Sequence, residues 1–264
     1  MEVILTPAEL PALAQRDLRE TACVVFDVLR ATSTFVTALH NGAKAIVPVS
    51  EISEALACKN AECGMRNAES ILLGGERDGV RIRAAQTGGT DFDLGNSPRE
   101  YTAEKVRGKT IVSTTTNGTR ALRACAGAKT ILAASFLNLS ATAEFLRQTN
   151  SGDILLLCAG TRENRADEDV LAAGALCELL EVGSSRCDDR TAQRAVPTQF
   201  SDSAEIARRT YLQAKADLTA IVGTSENARR LLAIPELRDD VPFCLQQDVF
   251  PIVAKLEADR VIRC

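Results

Sequence analysis

The chain has 264 residues, of which 45% are hydrophobic, enough to bury a substantial core in one large domain or in two closely packed halves. Its formal net charge of −4 and its pI near 5.3 argue against a nucleic-acid-binding protein, because such proteins carry a basic face. No segment has the ~20 apolar residues that cross a bilayer, and the first residues lack the basic start and apolar region of a signal peptide. We therefore expect a cytoplasmic protein that binds no membrane.

The first part of the chain alternates apolar runs with helical periodicity. In chain order, the pattern predicts a strand over residues 22–28, a helix over 32–40, a strand over 45–49, a helix over 51–63 and a strand over 70–73. A glycine-rich stretch without a helical or strand period follows. The alternation indicates βαβ units.

The alternation resumes after this stretch. The pattern predicts a strand over 110–114, a helix over 118–125, a strand over 130–134, a helix over 140–148, a strand over 154–158 and a helix over 167–181. Residues 183–200 are polar and predict a loop. Two further helices are predicted over 201–216 and 225–233, with Ser201 and Ser225 as N-caps. Three short segments carry no clear assignment: 217–222, 243–245 and 252–256.

These elements predict an α/β fold with a mainly parallel sheet flanked by helices on both faces. An internal similarity bears on the domain organisation, since NGAKAIV at residues 41–47 resembles AGAKTIL at residues 126–132. The chain is then either a single unit over residues 1–264 or two similar α/β halves of about 1–105 and 106–264. A chance similarity of these short segments is the alternative to duplication.

The cysteines and the single histidine limit the chemistry. Nine cysteines without a Cys-x-x-Cys pair are typical of buried thiols in a reducing compartment rather than of a metal site. His40, at the predicted C-terminal end of a helix, fits a capping role better than catalysis. One histidine excludes chemistry that needs several imidazoles, so a bound metal must take oxygen ligands, as Mg²⁺ does.

Residues 114–120, with the sequence TTTNGTR, join a buried strand to the start of a helix. Unpaired N–H groups and the helix dipole favour an anion at such a start, and Gly118 allows a close approach. We predict that this turn binds an anionic group; an N-cap without a ligand is the alternative. The predicted binding residues are Thr115, Thr116, Asn117, Gly118, Thr119 and Arg120.

Asp27 follows a buried strand, and ligands collect outside the carboxyl ends of strands in open α/β sheets. It is therefore a candidate metal ligand or nucleophile, with a helix N-cap or an ion pair with Arg30 as the alternative. A haloacid-dehalogenase site would need a second Asp at position 29, which is Leu29. The sequence also contains no P-loop, no dinucleotide-binding glycine motif and no Cys-x5-Arg motif.

Further candidates follow other strands. Gly74 and Gly75 predict a tight turn at the end of a strand, with Glu76 as a metal ligand and Arg77 as a binder of phosphate or sulfonate. A hairpin or a loop with a surface salt bridge is the alternative. Residues 96–99 have no regular period and supply side-chain donors, although an ordinary Asn-Ser-Pro turn also explains them.

Acidic residues also lie in the first turn of the helix predicted over residues 167–181. Glu168 and Asp169 are stabilised there by the helix dipole whether or not they have a function. Together with Asp27 and Glu76 they would complete an oxygen-only shell for Mg²⁺.

Five segments together resemble the 2-phosphosulfolactate phosphatase family, the ComB-like proteins. They are VFDVLRATS at 25–33, LGGER at 73–77, FDLGNSP at 92–98, TTTNGTR at 114–120, and AGT at 159–161 followed by Glu168 and Asp169. The resemblance covers roughly residues 20–180 in order, and the C-terminal third matches less clearly. Residues 162–165 (RENR) depart from a Gly-Glu-Phe-like segment that is common in the family, which bears on the substrate.

The resemblance implies a Mg²⁺-dependent phosphoric monoester hydrolase that converts 2-phospho-3-sulfolactate to 3-sulfolactate, as in coenzyme M biosynthesis. Its partner would be a small phosphorylated sulfonate, and a homo-oligomer is compatible with it. The implied catalytic residues are Asp27 and Arg30, and the implied Mg²⁺ ligands are Asp27, Glu76, Glu168 and Asp169. The implied substrate-binding residues are Arg77, Asn96, Ser97 and Arg99 together with the TTTNGTR turn.

The sequence leaves the mechanism and the substrate open. Either Asp27 attacks phosphorus to form an aspartyl-phosphate, or a water activated by the metal attacks directly. A phosphatase for another phosphorylated hydroxy acid is one alternative. A non-catalytic protein that binds a sulfonate or a phosphate is the other.

Overall fold

The computed structural model describes residues 1–62, 71–149, 152–185 and 199–264, which assemble around one sheet. Its strands are β1 (Glu2–Ile4), β2 (Thr21–Phe26), β3 (Ala45–Val49), β4 (Ile71–Arg77), β5 (Val80–Arg81), β6 (Thr110–Thr114), β7 (Thr130–Ala134), β8 (Asp153–Cys158), β9 (Ala254–Glu257) and β10 (Arg260–Arg263). The helices are α1 (Leu10–Leu13), α2 (Ala31–His40), α3 (Ile52–Glu62), α4 (Ala84–Thr87), α5 (Ala103–Val106), α6 (Gly118–Ala124), α7 (Leu139–Thr149), α8 (Asp167–Ser185), α9 (Asp202–Ala214), α10 (Leu218–Val222), α11 (Glu226–Leu232) and α12 (Asp240–Cys244).

The sheet is mainly parallel, with the strand order β1-β8-β2-β7-β9-β10-β3-β6-β4-β5. Two parallel groups form it: β8 and β7 flank β2 with β1 outermost, and β3 and β4 flank β6. The hairpin β9–β10 joins the groups by antiparallel pairing with β7 and β3. The predicted α/β fold with a mainly parallel sheet is confirmed.

Helices cover both faces of this sheet. The side chains of β2 alternate between the faces, as the two-residue period of a strand requires. Val24 and Phe26 pack in one cluster with residues of α7, α8 and α9, whereas Cys23 and Val25 pack in another with residues of α2 and α6. Burial on both faces explains why β2 is apolar from Ala22 to Phe26 rather than alternating.

The strands of residues 1–105 and 106–264 are interleaved. The early strand β2 lies between β7 and β8, and the late strand β6 lies between β3 and β4. Each strand group therefore takes strands from both ranges, so the two ranges do not form separate sheets, and the division of the chain into units stays a prediction. A common origin of the similar segments stays a prediction.

The tight turn predicted at Gly74 and Gly75 is wrong. Strand β4 continues through both glycines to Arg77, with Gly74 opposite Ser113 and Gly75 opposite Thr114 of β6, and the chain turns at Asp78–Gly79. The glycines allow β4 to lie close to β6, because a Cβ on Gly75 would collide with the backbone carbonyl of Thr114.

Several predicted elements have the bounds expected from the sequence, including β3, β6 and β7. Residues 183–185 of the predicted loop are helical instead, and residues 186–198 lie outside the described residues. The unassigned segment 217–222 contains α10, which Asp217 caps by accepting a hydrogen bond from the Ala220 N–H at 3.0 Å. His40 ends α2 as predicted, and its ring stacks on Phe250 with centroids 4.2 Å apart.

None of the helices in the described ranges is long and apolar enough to cross a membrane.

Candidate active site

A cleft lies where the carboxyl ends of strands from both parallel groups meet. Asp27 follows β2, Thr116 and Asn117 follow β6, and Gly160 follows β8. The two groups are in contact here, since the Asn117 side chain donates to the backbone carbonyl of Gly160 at 2.7 Å. This is the edge at which open α/β sheets bind their ligands.

Asp27 is the central acid of the cleft. Its Oδ1 accepts a hydrogen bond from the Ala31 N–H at 3.0 Å, which fixes the carboxylate at the start of α2. Desolvation raises the pKa of Asp27 to about 6, with further upward contributions from the charges of Glu76 and Glu168. Gly118 packs against the other oxygen, because a Cβ there would lie 2.7 Å from Oδ2.

Glu76 is a second buried carboxylate on the cleft wall. Its Oε2 accepts from the Gly79 N–H at 2.7 Å, and its Oε1 accepts from both the N–H and the hydroxyl of Thr116 at 3.0 and 2.9 Å. The carboxylate therefore ties the β4–β5 turn to the turn after β6. Because β4 extends past the glycines, Glu76 reaches the cleft from within a strand.

Asp169 connects the segments that follow β2 and β8. Its Oδ1 accepts from the Val28 N–H at 2.8 Å and its Oδ2 from the Gly160 N–H at 2.9 Å. Desolvation, followed by the charges of Asp27 and Glu168, raises the pKa of Asp169 well above its ordinary value. Both of its oxygens are thus directed at backbone donors rather than at the cleft.

Glu168 lies behind the cleft wall and is fully buried. Its Oε1 accepts from the Asn227 side-chain amide at 2.8 Å, while Oε2 has no hydrogen-bond partner among the described residues. Desolvation raises the pKa of Glu168. The four acidic side chains predicted as metal ligands influence one another electrostatically, but Asp27 and Glu76 are the two of them that line the cleft.

Arg30 lines the cleft and is held by a partner 210 residues away. Its Nη1 donates to Asp240 Oδ2 at 2.7 Å, and its Nη2 donates to the Gly79 carbonyl. The peptide bond between Leu29 and Arg30 is cis. Asp240 is fully buried and also accepts from the Ser97 hydroxyl at 2.7 Å, so it positions two predicted site residues.

The TTTNGTR turn uses most of its polar groups internally. Thr116 and Asn117 line the cleft, whereas Thr115 Oγ1 accepts from the Thr119 N–H at 3.2 Å and both threonines are buried. Arg120 points outward and pairs with Glu163 at 2.6 Å. The structure therefore brings two of the six predicted binding residues of this turn to the cleft wall.

Two further predicted binding arginines do not line the cleft. Arg77 donates to Thr114 Oγ1 at 3.0 Å, on the face of β4 opposite to Glu76, because successive side chains of a strand alternate. Arg99 forms an ion pair with Asp239 at 3.3 Å near the surface. Asn96, in contrast, does line the cleft, and its buried Oδ1 has no partner in the described part of the chain.

The C-terminal third supplies residues that the sequence prediction missed. Asn227 and Arg230 of α11 line the cleft. Asp78, which precedes β5, was also missed, whereas Arg162 lies in the segment 162–165 that the sequence associated with the substrate. The predicted helix over residues 225–233 places positions 227 and 230 on one face. No sequence signal showed that this face meets the strand ends.

Comparisons with known proteins place the chain in one family. A family model described as 2-phosphosulpholactate phosphatase matches residues 5–259. A probable 2-phosphosulfolactate phosphatase of Caldanaerobacter subterraneus subsp. tengcongensis is 38% identical over 249 residues, which cover 93% of this chain and 92% of the relative.

Similar proteins with the same description occur in Thermotoga petrophila, 40% identical over 88% of each chain, and in Clostridium acetobutylicum, 33% identical over 91% of this chain and 92% of the relative. The family-model match extends through α11 and into the C-terminal hairpin, so it includes the part of the cleft that the sequence motifs do not cover. The chain therefore belongs to the 2-phosphosulpholactate phosphatase family of phosphoric monoester hydrolases.

Proposed function

We propose that this protein hydrolyses 2-phospho-3-sulfolactate to 3-sulfolactate and inorganic phosphate with Mg²⁺ as its cofactor. The relatives described as probable 2-phosphosulfolactate phosphatases support the choice of substrate. The observation that carries the proposal is a buried carboxylate, Asp27, in a cleft that also presents Arg30 and Arg230. Coenzyme M biosynthesis as the pathway stays a prediction.

The cleft offers both kinds of charge that this reaction needs. The substrate carries a phosphate, a carboxylate and a sulfonate, so binding it requires local positive charge in an acidic protein. Arg30, Arg162 and Arg230 supply guanidinium groups on the cleft wall. Asp27 and Glu76 supply carboxylates, which would repel this substrate unless a cation lies between them.

The cleft residues fit Mg²⁺. After desolvation, the charge of Glu76 also raises the pKa of Asp27, as expected for neighbouring carboxylates that repel each other when both are charged. The described residues contain no preformed group of three or more His, Cys, Asp or Glu ligands. Mg²⁺ is ordinarily held by one or two carboxylates together with substrate phosphate oxygens, and Asp27 and Glu76 match this arrangement.

When bound there, Mg²⁺ would neutralise charge on the phosphoryl oxygens. We assign it to Asp27 and Glu76. Asp169 and Glu168 do not line the cleft. Asp169 supports the segments after β2 and β8, and Glu168 supports Asn227.

Asp27 is the residue positioned to act on phosphorus. The Ala31 N–H holds Oδ1 and Oδ2 lies against Gly118, so the carboxylate is fixed in the cleft wall. In the covalent route a carboxylate oxygen of Asp27 forms a bond to phosphorus as the ester P–O bond breaks, a water gives its proton to the departing alkoxide, and the resulting hydroxide cleaves the aspartyl-phosphate to release phosphate and restore the carboxylate. In the direct route a water attacks phosphorus as the ester P–O bond breaks, and Asp27 accepts the proton of that water and passes it to the departing alkoxide. Acid quenching during turnover and mass analysis of the Asp27 peptide separates the routes, because only the first leaves phosphate on this residue.

A reducing compartment is part of the proposal. The cysteines within the described ranges are free thiols, most of them buried, which supports a cytoplasmic location.

Phosphate release from 2-phospho-3-sulfolactate tests the proposal. We expect turnover that stops when a chelator removes Mg²⁺ and returns when Mg²⁺ is added, and slower turnover of phosphoglycolate and 2-phospholactate. Asp27→Asn should lower kcat by at least about a hundredfold, since it removes a group that contacts the reacting atoms. Asp259→Asn, at the exposed β9–β10 turn, is the matched control and should leave kcat unchanged.

Two results would overturn the proposal. Absence of phosphate release from 2-phospho-3-sulfolactate in the presence of Mg²⁺ would exclude the reaction. Ligand-induced stabilisation without turnover would favour the non-catalytic binding protein instead.

A further inference from the structure

Helix α11 brings an uncompensated positive charge into the cleft. Arg230 donates through Nη2 to the Asn227 side-chain oxygen at 2.8 Å, and its Nε is buried without a hydrogen-bond partner among the residues described. The guanidinium of Arg230 forms no ion pair with any carboxylate of the residues that the structure describes. A buried donor without a partner is costly, so its retention on a cleft wall points to a ligand.

Arg30 differs from Arg230 in this respect. Asp240 already neutralises Arg30 within the fold. Both guanidiniums border the space above Gly79, because a Cβ on Gly79 would lie 3.7 Å from Arg230 Nε and 4.0 Å from Arg30 Nη2. Of the two guanidiniums beside Gly79, the one whose charge is available for a ligand is therefore that of Arg230.

The orientation of Arg230 is fixed by a buried network. Asn227 donates its amide to Glu168 Oε1 at 2.8 Å and to Thr161 Oγ1 at 2.5 Å. Because the Asn227 amide nitrogen already donates to two acceptors, the amide oxygen is the atom that faces Arg230. Its hydrogen bond to Arg230 sets the direction of the forked guanidinium group. Positioning of this kind lowers the conformational entropy that a flexible arginine would lose on binding.

We propose that Arg230 binds the substrate's second oxyanion, the sulfonate or the carboxylate rather than the phosphoryl group. The inference rests on the proposed function, in which the phosphoryl group lies at Asp27 and Glu76. A planar guanidinium with free donors matches the paired oxygens of either group. Neither the family motifs nor the predicted site included this residue.

Substrate analogues test the assignment. The wild type and Arg230→Gln are compared on 2-phospho-3-sulfolactate, on 2-phospholactate, which lacks the sulfonate, and on 2-sulfoethyl phosphate, which lacks the carboxylate. We expect Arg230→Gln to lower kcat/KM for the full substrate by about 10- to 100-fold, mainly through KM, since a charge-assisted hydrogen bond is lost. The loss should be much smaller for the analogue that lacks the bound group, which identifies it.

Two variants serve as references. Arg229→Gln makes the same charge change on the exposed neighbour, which lies outside the cleft, and should behave as the wild type. Arg230→Lys keeps the charge without the fork and should recover part of the activity. It also supplies the measurement if thermal melting shows that Arg230→Gln does not fold.

Equal losses on all three substrates, or no loss on any, would overturn the assignment. If the wild type does not hydrolyse 2-phospho-3-sulfolactate, the proposed function fails separately. Calorimetric binding of 3-sulfolactate then tests Arg230 without turnover. Binding weakened at least about tenfold by Arg230→Gln supports the subsite, and equal or absent binding overturns it.

Discussion

Asp27 is buried and lies near other negative charges. Both features make its ionised carboxylate unfavourable for the stability of the fold, which indicates that the residue is retained for function. Its pKa of about 6 lies above the ordinary value of 3.8, because desolvation and the charges of Glu76 and Glu168 disfavour the ionised form. The structure thus keeps a costly carboxylate at the strand end where a reacting group would lie. Conflicts of this kind are expected at functional sites.

Asp27→Asn should stabilise the metal-free protein in a pH-dependent way. Between pH 3.8 and about 6 the folded state binds more protons at Asp27 than the unfolded state, so the free energy of unfolding falls as pH rises through this interval. The amide has no charge to lose. We expect the difference in free energy of unfolding between Asp27→Asn and the wild type to be up to about 3 kcal/mol more favourable to the variant at about pH 8 than at about pH 4.

Thermal unfolding with a chelator present, at both pH values, measures this gain. Asp259→Asn, at an exposed turn remote from the acidic cluster, is the control and should show no pH-dependent change. A stability change of equal size at both pH values would contradict the assigned cause.

The sequence predicted correctly that a residue lies in the cleft where its position at the end of a strand alone decides this. Asp27 follows an apolar run and lies in the cleft, as expected. Arg77 and Arg120 do not, because strand alternation turns one away and a surface ion pair with Glu163 holds the other outward. Asp240, which fixes Arg30, carries no local signal, since its partner is 210 residues away.

At the scale of elements, β4 shows how a glycine pair can be misinterpreted. Glycines are typical of turns, but these two allow β4 to lie close to β6 and to carry Glu76 to the cleft. The sequence predicted that Glu76 reaches the site from a turn after the glycines. Glu76 does line the cleft, but it reaches the cleft from within β4. Pairing with a distant strand, rather than local conformation, decided the element.

Gly75→Ala should therefore be far more damaging than a change at another glycine with positive φ. Gly75 has φ +146° and its Cβ would collide with Thr114, whereas Gly88 has φ +77° with open space around it. We expect Gly88→Ala to cost about 1 kcal/mol from backbone strain alone. Gly75→Ala adds a steric clash and should cost at least about 3 kcal/mol.

Urea unfolding of the two variants measures the difference, and phosphatase assays of Gly75→Ala should show reduced activity because Glu76 is the next residue. Similar stability of the two variants would show that the close approach of β4 to β6 is not needed.

At the scale of the whole molecule, the C-terminal hairpin joins the two parallel strand groups. Val261 of β10 is fully buried and lies opposite Ile46 of β3 and Leu256 of β9. Because each group also contains strands from both parts of the chain, we expect the protein to unfold as one cooperative unit.

Val261→Asp should destabilise both strand groups together. A buried charge without a partner costs about 3 kcal/mol or more. Amide hydrogen exchange in β2 and in β6 reports on the two groups, and both should lose protection by a similar free energy. Arg263→Asp, exposed on the same strand, is the control. Loss of protection in one group alone would show that the groups fold independently.

The sequence by itself determined the α/β class, most strand and helix positions, and several residues of the cleft. Apolar runs of strand length and helical periodicity are local properties, and the polar residues that follow a strand reach its carboxyl edge in any such sheet. Asp27, Thr116 and Asn117 could be placed for this reason.

Only the tertiary structure decided the strand order, the interleaving of early and late strands, and the contribution of α11. These depend on contacts between residues far apart in the chain, such as Arg30 with Asp240 and Asn227 with Glu168. Which face of a helix meets a site, and which arginine is neutralised before a ligand arrives, follow from packing that no local pattern encodes.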